Sequence, residues 1–169
     1  MNNSNLEKLF TALLSEYQEP IYWHLRKLSK NQEDANDLTQ MTFIKVWEAL
    51  PNFRGDSEYF TWIYRIATNQ FLDHQRSKKF NSDGYDSYQA NLLATSSSPD
   101  FNGDEIQRKL QAAIKTLPEK QRITFCLRYF DDLDYEQISK ITGTSKGALK
   151  ANYHHAVKKI ESWIRKEIE

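Results

Sequence analysis

Apolar residues in this chain recur at spacings of three and four, and no segment alternates with the period of two that a half-buried strand needs. That feature restricts the fold class to all-α. Leu6, Leu9, Phe10, Leu13 and Leu14 form a first stripe, and Pro20 is expected to restart the chain into Ile21, Tyr22, Leu25 and Leu28. Ala35, Leu38, Thr42, Phe43, Val46, Trp47 and Leu50 form a second stripe. Asn31 is its N-cap, Glu33 and Asp34 sit in the first turn where the helix dipole favours acids, and Pro51 ends it. Phe60, Ile63, Tyr64, Ala67, Phe71 and Leu72 mark a third helix running into the basic residues RSKK at 76–79.

The period then stops. Residues 81–103 (NSDGYDSYQANLLATSSSPDFNG) are rich in Ser, Asn, Asp and Gly, which reads as a flexible linker with one apolar pair, Leu92–Leu93, able to dock locally. It divides the chain into two small helical domains, 1–80 and 104–169. A helical unit of roughly 60–80 residues buries only about 60% of its unfolded surface, so each is marginal alone and leans on a partner. Periodicity resumes with Ile106, Leu110, Ala113, Ile114 and Leu117; Pro118 fits the first turn of the next helix, through Ile123, Phe125, Leu127, Tyr129 and Phe130. Asp134 and Gln137 can form a capping box for a short helix through Ile138 and Ile141. Gly143 suits a left-handed C-cap, and Ser145 can cap the last helix.

Charge and composition exclude several classes. The formal net charge is zero, which argues against a generally basic nucleic-acid protein, yet the charge is uneven. Residues 131–136 (DDLDYE) are acidic, whereas Ser145 to Ile160 carries four lysines and no acid. The lone Cys126 excludes an intramolecular disulfide, as in a reducing cytoplasmic compartment, and its apolar neighbours place it in a core. No apolar run approaches the roughly 20 residues of a membrane span, and MNNSNLEKLF does not read as a signal peptide. No Gly-rich phosphate loop, spaced metal ligands or nucleophile–base pair is present, so neither an enzyme nor a cofactor is expected.

A short helix, a Gly-containing turn and a longer basic helix make a helix-turn-helix pattern. At about 100° per residue, Leu149, Tyr153, Ala156 and Ile160 share the buried face. The opposite face holds Gly147, Ala151, His154, His155 and Lys158, with Lys146 and Lys150 on its shoulder and Ser145 at its start. Small residues let a helix approach base edges, Ala151 suits a thymine methyl, and lysines neutralise phosphates. An antiparallel helical hairpin with a solvated lysine face is the competing reading, and the lack of acids tilts the balance towards DNA. His154 and His155 make a poor metal site, because neighbouring helical residues point about 100° apart and no carboxylate or Cys lies at i+3 or i+4.

Between the second and third helices lies FRGDSEYFTW, Phe53 to Trp62, with two acids, an Arg and four aromatic rings. It is a loop that plugs its own core, a catalytic loop, or a surface that grips π-faces and phosphates. With DLTQMTFIKVW, FRGDSEYFTWIYRIATN and DHQR in view, the chain closely resembles bacterial RNA polymerase sigma factors of the compact extracytoplasmic-function branch of the sigma-70 family. Residues 6–80 resemble its domain two and 104–165 its domain four, with 81–103 as the connection. The family pattern near Lys146 is richer in Arg than ALKANYHHAVKKI, which weakens the case for bidentate guanine contacts.

The resemblance implies roles. Asp37, Leu38, Gln40, Phe43, Ile44 and Trp47 match the segment that binds core RNA polymerase; Phe43 and Trp47 also fit a core, and Asp37 and Gln40 are the better surface contacts. The loop and the helix after it match the element that opens promoter DNA and captures the minus-ten element as a single strand. Unstacking a base costs about a few kcal/mol, and aromatic stacking returns roughly 1–3 kcal/mol per base. Asn69 matches a position that holds a flipped base, and its amide offers both donor and acceptor. Phe53, Gly55, Asp56, Ser57 and Trp62 would shape the pocket, and Arg54, Arg65, Arg76, Lys78 and Lys79 would hold phosphates. Phe60 is expected to turn inward, Trp62 is open between core and pocket, and Asp56 or Ser57 can instead cap the next helix. Ser145, Lys146, Gly147, Lys150, Ala151, His154, His155 and Lys158 would read the minus-thirty-five element as duplex.

The 23 residues from Asn81 to Gly103 have an r.m.s. span of roughly 25–30 Å and stretch to about 75–80 Å. The promoter elements lie on the order of 50 Å apart, so core polymerase would have to hold the linker extended. The resemblance also makes an anti-sigma factor a fair expectation. Two other readings remain open on the residues alone: a stand-alone helix-turn-helix regulator whose first domain senses or dimerises, and a helical protein that sequesters polymerase without touching DNA.

Overall fold

The computed structural model describes residues 3–82 and 105–168, all of which are helical or in short connections. They form two compact units. The first comprises α1 (Asn3–Leu28), α2 (Gln32–Ala49), a 3₁₀ turn (Leu50–Asn52) and α3 (Tyr59–Ser82). The second comprises α4 (Glu105–Lys115), α5 (Glu119–Tyr129), α6 (Tyr135–Thr142) and α7 (Lys146–Ile168). Among the described residues no helix is long and apolar enough to cross a membrane. The linker is expected over 81–103, but α3 continues through Ser82; the rest of that segment, with Leu92–Leu93, lies outside the described residues.

In the first unit, α1, α2 and α3 pack on one another around Ile21, Leu25, Leu28, Val46, Ile63, Ala67 and Phe71. Pro20 does not restart the chain: α1 runs through it unbroken. A proline removes one helical amide, leaving the Glu16 carbonyl without its usual donor. Glu16 and Pro20 are both exposed, so water can serve that carbonyl. Ile21, Leu25 and Leu28, fully buried just beyond, hold the helix in place. Several polar groups inside the unit are matched: Thr39 and Thr42 donate back to the Ala35 and Leu38 carbonyls at 2.7 Å each, and His24 Nε2 lies 3.2 Å from Thr68 Oγ1.

Asn31 caps α2 as expected, its side chain accepting from the Asp34 amide at 2.8 Å. Leu50 and Pro51 carry the chain into the 3₁₀ turn, and Gly55 at φ 74° supplies the left-handed residue that turns the loop towards α3.

In the second unit α7 is the central element, packed against α4, α5 and α6. Its core is Ala113, Ile114, Leu117, Ile123, Cys126, Leu127, Ile138, Ile141, Leu149, Ala156 and Ile160. Ile106 and Tyr129 follow the periodicity but lie outside, at 70% and 55% exposure. Ile106 belongs to the first turn of α4, and Tyr129 ends α5. Pro118 takes the N-cap of α5, one position earlier than expected, with extended ψ 147°. The Asp134–Gln137 capping box forms in both directions, the Gln137 amide donating to Asp134 at 2.8 Å and the Asp134 amide to Gln137 at 3.0 Å. Gly143 ends α6 in the left-handed region at φ 71°, and the Ala148 amide donates to Ser145 Oγ at 3.3 Å.

Candidate nucleic-acid and partner-binding surfaces

Three surfaces emerge from this packing. The first lies on α1 and α2. Residues 37, 40, 41, 44, 47 and 48 fall on one side of α2 at about 100° per residue. Asp37, Gln40, Met41, Ile44 and Trp47 are accordingly exposed, with Ile44 at 48% and Trp47 at 36%. Leu38 and Phe43 are each only 5% exposed, so these two point inward and pack the unit instead of presenting a contact face. Phe43 still reaches the floor of a groove of about 650 Å³ between the two helices. Phe10, Leu14, Ile44 and Trp47 line its apolar walls, and Glu7, Gln18 and Gln40 its rim. Phe10 meets Trp47 edge-on with ring centroids 5.1 Å apart. A concave apolar surface rimmed by polar groups is what an amphipathic partner helix needs.

The second surface is the loop with the exposed side of α3. Phe53 stacks on Tyr59 at 4.7 Å and packs against Trp62 at 4.8 Å, so three half-buried rings form a cluster at the loop base. Phe60 is not fully inward; it is half-buried beside Tyr64 at 4.4 Å and Tyr17 at 6.4 Å. Arg54, Gly55 and Asp56 are exposed and Ser57 is half-buried. Neither Arg54 nor Asp56 has an ion-pair partner among the described residues.

Along α3, positions 62, 65, 69, 76 and 79 fall within about 100° of one another. Trp62, Arg65, Asn69, Arg76 and Lys79 therefore form one stripe, opposite the buried Ile63, Ala67 and Phe71. All but the half-buried Trp62 are exposed. Lys78 leaves this stripe. It lies over the packed side and reaches Asp34 of α2 at 2.7 Å, with His74 Nε2 3.7 Å from the other Asp34 oxygen. Arg76 is paired along its own helix with Asp73 at 3.0 Å.

The third surface is α7. Gly147, Ala151, His154, His155 and Lys158 are exposed together, opposite the buried Leu149, Ala156 and Ile160, while Tyr153 is half-buried and stacks on Phe125 at 5.7 Å. A Cβ added at Gly147 would meet nothing within 4 Å, so packing does not demand glycine there. The lysines on the shoulder are not free. Lys146 reaches Glu136 of α6 at 2.9 Å, and Lys150 lies 6.0 Å from the Tyr135 ring centroid. Their hydrogen bond holds the Glu136 carboxyl below its ordinary pKa and raises the Lys146 ammonium above its own.

Residues 13–80 match the family model described as Sigma-70 region 2, and residues 107–160 match the one described as Sigma-70, region 4. The RNA polymerase sigma-H factor of Pseudomonas aeruginosa is 30% identical, over 94% of this chain and 88% of that protein. The ECF RNA polymerase sigma-E factor of Escherichia coli is 30% identical over the same shares. The chain belongs to the ECF branch of the sigma-70 family. The fold agrees: the sigma factor RpoE of Bartonella quintana, solved with the anti-sigma factor NepR, superposes with TM-score 0.78 at 22% identity, over 94% of this chain and 98% of that one. CnrH, solved with the cytosolic domain of CnrY, gives 0.69 at 18% identity, over 95% and 90%.

Membership sets aside the stand-alone regulator, because a sigma-70 region 2 occupies the place where a sensor or dimerisation domain was the alternative. Within the sigma frame, the region 2 match takes in the α3 stripe and the groove apart from Glu7, Phe10 and Thr11, which precede it, and region 4 holds the open face of α7. The sequence pattern passes over Met41, and it places Phe10 and Leu14 in a core stripe although they line the groove. Half-burial is the reason. A stripe wider than its partner helix leaves its edge at the surface, and periodicity alone cannot separate edge from centre.

Proposed function

We propose that this chain is a promoter-specificity subunit that binds core RNA polymerase and directs promoter recognition, DNA melting and transcription initiation from the cytoplasm. Residues 1–80 act as the polymerase-binding and minus-ten module, 81–103 as the connection, and 104–169 as the minus-thirty-five module. The exposed side of α2, with Asp37, Gln40, Ile44 and Trp47, carries the polymerase contact, and the groove to α1 extends it. Leu38 and Phe43 support that face from within.

One observation carries the reading of the first module. Trp62, Arg65, Asn69, Arg76 and Lys79 line up on a single face of α3, directly after a loop whose base is a cluster of three rings. A single strand needs that combination: π-faces for bases, an amide for a base edge and cations for phosphates. Phe53, Arg54, Gly55, Asp56 and Ser57 complete the pocket that takes a flipped minus-ten base. Lys78 contributes through Asp34, bracing α3 against α2, rather than through a phosphate. On α7, Gly147 and Ala151 allow close approach to a major groove, and His154, His155 and Lys158 supply donors and charge. Ser145 caps the helix at the phosphate end, beside Lys146 and Lys150.

An anti-sigma factor fits the same scheme, because a polypeptide laid in the α1/α2 groove competes with the polymerase for it. The sigma factor RpoE of Bartonella quintana was co-crystallised with an anti-sigma factor, NepR. The test is run-off transcription from a promoter library with core polymerase and this protein. New start sites sharing an upstream and a minus-ten sequence are expected; none with a cognate core enzyme would refute the proposal.

A further inference from the structure

Region 4 is locally peculiar in one respect. The acidic segment 131–136 runs into the first turn of α6, and the helix that follows, α7, is free of acids through Ile160. Glu136, in the first turn of α6, reaches across to Lys146, the first residue of α7, with an N–O distance of 2.9 Å. Both side chains are more than half exposed, at 59% for Lys146 and 55% for Glu136, so the pair is open to competition from solvent and ligand. Beside it Tyr135 holds Lys150 over its ring while Arg128 approaches the same ring at 5.3 Å. Thus the first turn of α6 engages both lysines at the start of the α7 face.

We infer that Glu136 is a positioning residue for promoter binding: its carboxylate occupies Lys146 in the manner of a DNA phosphate and discounts the non-specific affinity of region 4. This rests on the proposed minus-thirty-five role of α7. The physics follows from ion release. A lysine that neutralises a phosphate frees one condensed cation and adds about −0.9 to the slope of log K against log salt. While Lys146 stays paired with Glu136 it neutralises no phosphate, so that release is withheld. Glu136 also stands close to the incoming phosphates and repels them. Contact with arbitrary DNA therefore gains little, and binding depends on base edges and on the other module.

The test uses the full chain and a short random-sequence duplex, with affinity measured by fluorescence anisotropy over a salt series, alone and with core polymerase. Glu136→Gln is expected to tighten binding about two- to five-fold at low salt, the size of one exposed ion pair. It is also expected to steepen the slope by about 0.9. Glu136→Asp restores both towards wild type. In a Lys146→Met background, Glu136→Gln should leave the slope unchanged, which a purely structural role for Glu136 does not predict. A thermal melt confirms that α6 and α7 remain folded. If the variant binds DNA with the wild-type slope, the inference is overturned and the sigma reading stands. If neither protein binds duplex, with or without core polymerase, both fall.

Discussion

The two units solve the problem of a small core differently. Region 2 is built from long helices and leaves large apolar side chains outside, among them Trp23, Met41, Ile44, Trp47 and Phe80. Three of these, Met41, Ile44 and Trp47, belong to one side of α2 beside the groove. Region 4 sets three short helices against the long α7, with well-formed ends, and its exposed large apolar residues, Ile106, Tyr129 and Ile168, sit at the ends of elements. The contrast suggests a division of labour. On the proposed reading, region 2 keeps apolar surface for a protein partner, whereas region 4 offers the small, polar and charged groups of α7 to a groove of DNA.

The comparison can be broken at its strongest point first. Phe71 is fully buried at the centre of region 2, and Phe71→Ala should cost about 3–5 kcal/mol through lost transfer energy and a cavity. Hydrogen exchange should show the loss of amide protection through α1, α2 and α3. Unchanged protection would mean that the unit is not held together by this core.

A smaller effect separates surface from core. Trp47→Ala is expected to weaken core-polymerase binding by roughly 2 kcal/mol, as an aromatic anchor at an interface does. Trp47 is 36% exposed, so the stability of the unit should fall much less. Equal losses in binding and stability would return Trp47 to the role of a packing residue.

Asn69→Ala should weaken open-complex formation by roughly 1–2 kcal/mol, the scale of hydrogen bonds to an unstacked base. Asn69 is exposed, so polymerase affinity should not change. Permanganate footprinting of the melted region and polymerase pull-down separate the two outcomes; loss of polymerase binding alone would make this residue structural. Last and smallest, Asp134→Ala removes one half of the capping box in region 4 and should destabilise α6 and α7 by about 1 kcal/mol. The thermal midpoint reports it, and a neutral result would mean that helix ends contribute less to region 4 than the comparison holds.

Local signals made region 4 the more legible unit. Asp134, Gln137, Gly143 and Ser145 act on backbone groups within three or four residues, and each does so here as its residue type and position suggest. Asn31 and Pro51 did the same for α2. Pro20 misled because a proline signal is also local, while the packing of Ile21, Leu25 and Leu28 that keeps α1 continuous is not. The loop Phe53 to Trp62 was legible as aromatic and charged; which rings meet which was not.

The sequence by itself determined the helical class, the two units, most of the helix ends and the family, because these follow from periodicity, short-range hydrogen bonding and motif order. Only the tertiary structure decided which members of each stripe lie at its edge: Leu38 and Phe43 turn inward, while Ile44 and Trp47 face solvent. It also decided which cations are engaged. Lys78 meets an acid 44 positions away, and Lys146 meets one on the preceding helix. Charges find partners by distance in space, and a periodic pattern fixes direction around one helix without saying what stands opposite it.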